Sequence, residues 1–245
     1  IVYGVIGRNV DASKRSWAMG VAAAAGSFGQ FLMVPVENWL IGGTGWQSAL
    51  FVLGCLALAI MPLAFGLREP ERAAATGHQQ SVGAALREAF GYPSFRLLMA
   101  GYFVCGFQVV FIGVHMPSYL LDKGLGPEVG MTSLALIGLF NVFGSYGAGR
   151  LGSVFPKRYL LAIIYFARSI AISLFLWLPL TPASAYVFSA IIGLLWLSTV
   201  PLTNALVGQI FGVRFLGMLS GLVFFSHQIG SFLGVWLGGR LFDMN

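Results

Sequence analysis

The chain has 245 residues, 58% of them hydrophobic and 9% charged. A water-soluble domain of that make-up would lack the ionic side chains to cover its own surface, so the composition excludes that class and points to the bilayer. The formal net charge of +6 is spread over short connections between apolar stretches, which favours a membrane-surface bias and argues against nucleic acid as a partner.

A helix crossing the hydrocarbon core needs about 20 mostly apolar residues. Residues 1–7 read as the tail of one such helix. Seven complete spans follow, at roughly 16–41, 46–66, 95–120, 131–149, 159–178, 185–211 and 216–239. Each is continuously apolar and many are rich in Gly, whereas a barrel strand would alternate over about 10 residues. The expected fold is an all-α polytopic membrane protein. The chain opens on IVYG, without Met and without a charged region leading to a cleavage site, so a longer polypeptide is expected.

The connections carry the topology, because Lys and Arg are retained on the cytoplasmic side. One alternating set holds Arg8, Lys14, Arg15, Arg68, Arg72, Arg87, Arg96, Arg150, Lys157, Arg158 and Arg214, and the other only Lys123 and Arg240. Trp39, Trp46, Tyr119, Trp177, Tyr186 and Trp236 then fall near the outer ends of their spans, and Trp17 and Tyr159 near the inner ends, as interfacial aromatics do. The one long connection, 67–94, is charged, with helical character around VGAALREAF. It separates the spans of 1–66 from those of 95–245. A structural linker and a regulatory segment are both open for it.

Small residues allow helices to approach closely in lipid. Gly230, Gly234 and Gly238 recur at intervals of four on one face of the last span, with Gly217 and Gly221 earlier in it. GVAAAAGSFG makes a second smooth surface from Gly20 to Gly29. Cys55 and Cys105 lie inside apolar runs and read as small packing residues.

These elements resemble the major facilitator superfamily of secondary transporters, which has two six-helix halves joined by a long cytoplasmic loop. GRNVDASKRSWAMGVAAAAGSFGQFL is similar to the passage from helix four to helix five of the monocarboxylate and oxalate/formate porters, and GAGRLGSVFPKR to the basic loop between helices eight and nine. LLWLSTVPLTNALVGQIFG and GLVFFSHQIGSFLGVWLGGRLFD resemble helices ten and eleven. The resemblance implies a chain running from the end of helix four through helix eleven: 1–66 in the N-terminal half, 67–94 as the central loop and 95–245 in the C-terminal half. It also implies a gating loop carrying Arg150, Lys157 and Arg158. Two departures stand out. Ser153 occupies the place of the loop's usual Asp, and can cap a helix but not form the ion pair. The span LALIGLFNVFGSYGAG offers Asn141, Ser145 and Tyr146 where carboxylate porters often carry a cation.

Polar residues inside the spans are the candidates for chemistry. Arg168 lies about nine residues, or about 14 Å, from either end of its span, too deep for easy snorkelling, at an insertion cost of about 2.5–3.5 kcal/mol. The one acid within a span is Glu37, near an outer end. Arg168 therefore either attracts an anionic substrate or bonds to backbone carbonyls, Tyr165 or other segments and locks a helix. His227 and Gln228, halfway along the last span, either exchange a proton with a transported solute or glue a helix interface. Thr203 and Asn204 follow Pro201, which frees a carbonyl and kinks its helix, a feature of many transport sites and of plain structural kinks alike. Gln108, Gln30 and His115 rank lower. Phosphate-loop, metal and catalytic-triad signatures are absent, so neither an enzyme, a metal site nor a cofactor is expected.

The function expected is secondary active transport of a small organic anion such as a monocarboxylate, proton-coupled or by exchange, in a bacterial inner membrane and as a monomer when complete. Efflux of amphipathic compounds and a non-transporting membrane sensor or interaction protein are the alternatives.

Overall fold

The computed structural model describes residues 2–66 and 81–244. Arg68 and Arg72 of the long connection lie outside the described residues. Ten helices follow one another among those described: α1 Val2–Asn9, α2 Ala12–Leu58, α3 Ile60–Ala64, α4 Val82–Gly91, α5 Pro93–Asp122, α6 Pro127–Val154, α7 Lys157–Trp177, α8 Pro182–Leu195, α9 Thr199–Phe211 and α10 Leu216–Asp243.

Among the described residues, six segments are long and apolar enough to cross a membrane. The first, Ala12–Ala64, has 53 residues and would reach about 80 Å if straight, far beyond a hydrocarbon core of about 30 Å. It holds the two expected spans 16–41 and 46–66. They meet at Gly45, whose φ of 80° and ψ of 162° leave the helical region, a conformation open to glycine because it has no Cβ. The helical character expected around VGAALREAF is α4, whose first turn is capped by Ser81 Oγ accepting from Ala84 N at 3.2 Å.

The span expected at 185–211 lies within the apolar segment Pro182–Phe211, and it carries the disturbance expected at Pro201. The stretch 185–211 is not one continuous helix but two, α8 and α9, interrupted at Trp196–Ser198. The cause is Pro201, which has no N–H and whose ring crowds the carbonyl four residues earlier, that of Leu197. Leu197 O instead accepts from Val200 N at 2.9 Å.

The bundle is held by close pairs, chiefly α2 with α6, α5 with α10 and α6 with α8. At the α2–α6 crossing a Cβ on Gly20 would lie 2.7 Å from the Cα of Gly149, so neither position has room for a side chain. The expected stripe on α10 faces α5: Gly230 abuts the carbonyl of Phe103, Gly234 that of Phe107, and Gly238 the ring of His115. A Cβ on Gly26, Gly29, Gly217 or Gly221 would meet nothing from another element within 4 Å, so these four take no part in these contacts. Outward faces are apolar, with Phe166, Phe232 and Trp177 among the large exposed side chains, as lipid-facing surfaces require.

The basic connections gather at one end. Gly7 lies against Leu216 and Val213, Tyr92 packs edge-on to Phe211 at 5.9 Å, and Lys157 Nζ donates to Gln209 Oε1 at 3.3 Å. Lys123 follows the opposite end of α5, 30 residues away along that helix, which corresponds to about 45 Å.

Candidate functional site

The break between α8 and α9 leaves backbone groups that continuous helix would have paired, and an unmet group in an apolar setting is costly. Continuation would match the carbonyls of Leu195 and Trp196 with the N–H groups of Thr199 and Val200. Arg168 of α7 takes both carbonyls instead. Its Nε donates to Leu195 O at 3.1 Å, and its Nη2 donates to Leu195 O at 2.5 Å and to Trp196 O. A cation at the C-terminal end of α8 also suits the negative pole of that helix. On the other side of the break, Leu197 N donates to Asn141 Oδ1 of α6 at 3.0 Å. Two neighbouring helices thus supply, from side chains, partners for backbone groups that the interruption leaves without helical ones.

Arg168 is 1% exposed, and its remaining bond runs from Nη1 to Cys105 Sγ of α5 at 3.1 Å. Cys105 Sγ also lies 3.5 Å from Thr199 Oγ1 on the first turn of α9. The Tyr165 ring faces the guanidinium with its centroid 5.5 Å away. None of these partners is a carboxylate. Arg168 is therefore held by hydrogen bonds without a carboxylate partner. Asn141, fully buried, accepts a second bond from Ser145 Oγ at 3.1 Å, while its Nδ2 has no partner.

One residue beyond Cys105, Gly106 abuts the backbone carbonyl of His227 on α10. The His227 side chain is buried, stacked on Phe224 at 5.4 Å and tilted against Tyr102 at 5.2 Å. Its Nδ1 lies 3.3 Å from both Gln228 Oε1 and Ser231 Oγ. Ser226 Oγ ties the same turn to α5 by donating to Met99 O at 2.9 Å. This polar group sits on the α5–α10 seam, next along α5 from the thiol that Arg168 engages.

The other expected residues are placed as follows. Asn204 turns inward on its own helix, Nδ2 donating to Val200 O at 2.9 Å. Thr203 Oγ1 and Gln108 Oε1 are buried without a partner. His115 Nε2 lies 3.2 Å from Val235 O, away from the break. In the basic loop Arg150 is exposed, Ser153 Oγ donates back to Gly149 O at 3.3 Å, and Arg158 lies over Tyr159. Arg168 and Asn141 are brought to one feature, and His227 and Gln228 to another. Cys105 is more than the packing residue it was read as, because it joins α5 to the break. Nothing local in FVCGF marks it for that role. The described residues contain no cluster of His, Cys, Asp or Glu able to hold a metal ion.

Apolar spanning helices, small-residue seams and an interrupted helix in the interior define a polytopic helical membrane protein. The profile of the Major Facilitator Superfamily matches residues 1–235, and the chain belongs to that superfamily. It is similar to the uncharacterized MFS-type transporter YcxA of Bacillus subtilis, at 28% identity over 95% of this chain and 59% of the relative. It is also similar to monocarboxylate transporter 13 of Rattus norvegicus, at 24% identity over 94% of the chain and 54% of the relative, and to the MFS transporter asaE of Aspergillus flavus, at 25% over 89% and 49%. The chain spans about half the length of the curated relatives it matches.

Proposed function

We propose that this protein is a secondary active transporter of a small organic anion of the monocarboxylate kind, working by alternating access with proton coupling or exchange. The observation that carries the reading is the α8–α9 interruption, clasped by Arg168 and Asn141. Helices broken inside the bilayer line many solute pathways, because they offer backbone groups and a pivot in one place. Arg168 contributes positive potential without a carboxylate to cancel it, and potential of that sign attracts an anion through a low-dielectric wall. Relatives named as monocarboxylate transporters support the same solute class.

His227 is the proposed proton carrier. Its ring nitrogens can accept and release a proton, and Gln228 and Ser231 can each follow a change of tautomer at Nδ1. Alternating access would pivot α9 against α8 while the α5–α10 seam moves as a unit. Arg150, Lys157 and Arg158 are the proposed gating loop, in an inner membrane with the basic end facing the cytoplasm.

The test is reconstitution of the full-length protein in liposomes and uptake of a panel of radiolabelled acids, neutral metabolites and lipophilic cations, with and without a pH gradient. Saturable uptake of a carboxylic acid supports the proposal. Movement of lipophilic cations alone would replace it with efflux of amphipathic compounds, and no uptake of any class would leave the non-transporting reading.

A further inference from the structure

At the basic end of the bundle, where α5 begins, α6 turns into α7 and α9 finishes, lies a cavity of about 610 Å³. Its polar lining includes Ser94, Lys157, Arg158 and Gln209, and its apolar wall includes Phe155 and Leu206. No carboxylate lines it among the described residues. The half-buried Lys157 ammonium donates to the neutral Gln209 Oε1 at 3.3 Å, and Arg158 Nη2 donates to the neutral Tyr159 hydroxyl at 3.1 Å. Two basic side chains thus share a concave site, and neither of these bonds has a carboxylate as partner. The first turn of α7, preceded by Pro156, has no side-chain cap and adds the positive pole of a 21-residue helix.

We propose that this pocket binds a phosphate-bearing anion, either the headgroup phosphate of an anionic lipid or a soluble phosphate, held between Lys157 and Arg158. The Arg158 fork can present paired donors to phosphate oxygens, and Lys157, its neighbour on the first turn of α7, supplies a mobile point charge. Ser94 and the Gln209 amide complete the set of donors. The level is right for a headgroup: Lys157 opens the apolar span Lys157–Trp177, and basic pockets between helices at a cytoplasmic interface are the physical type that captures anionic headgroups. The volume exceeds that of a phosphate group many times, leaving room for a glycerol or sugar moiety against Phe155 and Leu206. This site is separate from the α8–α9 break and does not depend on which solute is carried.

The experiment measures the melting temperature of the purified full-length protein in phosphatidylcholine nanodiscs, in nanodiscs enriched in phosphatidylglycerol, and in phosphatidylcholine with added inorganic phosphate. A bound anion well above its Kd should raise Tm by about 3–5 °C. Lys157→Gln combined with Arg158→Gln should abolish the rise, whereas Lys14→Gln, a cation of the same end outside the lining, should keep it. Gln209→Glu is a second variant that sets a carboxylate against Lys157. It should fold at least as well, through the new ion pair, yet lose the response. A rise with phosphatidylglycerol alone assigns a lipid headgroup, and a rise with inorganic phosphate assigns a soluble ligand. No rise in either arm, or a rise that survives in the double variant or in Gln209→Glu, overturns the proposal.

Discussion

Arg168 donates to the carbonyl of Leu195 from two of its nitrogens, Nε at 3.1 Å and Nη2 at 2.5 Å, and so ends α8 from a different helix. A guanidinium matches this arrangement because its planar fork reaches several acceptors without bending. The break is consequently a property of three helices rather than one.

Replacing Arg168 by Leu should strand the Leu195 and Trp196 carbonyls in an apolar interior, at about 1–3 kcal/mol for each group left unmet. Arg168→Lys keeps the charge but not the fork, and should fall between. Thermal melts of the purified variants decide it. A Leu variant as stable as the parent would show that the carbonyls find other partners.

Asn141→Leu should cost about 1–3 kcal/mol, since Leu197 N–H loses the acceptor that replaces its helical one. Hydrogen exchange gives the sharper reading, with faster exchange at residues 196–199 than at the middle of α10. Equal protection in variant and parent would contradict the assignment.

Pro201→Ala restores an N–H within reach of Leu197 O, removing the reason for the interruption. The variant should melt higher. If the pivot serves transport, it should also carry solute more slowly. A pair of spin labels at exposed positions of α8 and α9 would report a narrower distance distribution.

Gly106→Ala and Gly26→Ala make a matched contrast. The first drives a methyl group into the His227 carbonyl and should destabilise by about 1–3 kcal/mol, because the obstacle is backbone and cannot rotate away. The second meets nothing within 4 Å and should be neutral or stabilise by up to about 1 kcal/mol. Similar melting temperatures for the two would refute the α5–α10 packing.

His227→Gln should lower uptake driven by a pH gradient while leaving exchange between labelled and unlabelled solute in place, because only the former needs a proton carrier and a Gln amide cannot serve as one. Gradient-driven uptake at the parental rate would remove His227 from coupling.

The amino-acid sequence by itself determined the solvent, the class and the two-ended arrangement. Runs of about 20 apolar residues have one stable solution in lipid, and the bias of Lys and Arg to alternate connections names the ends. The glycine stripe of α10 was legible as a packing face because a period of four lies along one side of a helix. Pro201 announced a disturbance of its helix, and Arg168 announced itself as a charge needing partners. Which partners it has was a matter for the tertiary structure. Cys105, Asn141 and Leu195 are 63, 27 and 27 positions from Arg168, and only the packing of α5, α6 and α8 around α7 and α9 sets them beside the break. Hydropathy records how each helix meets lipid. It does not encode the rotation of one helix against another, and that rotation decides which polar side chain meets which freed backbone group.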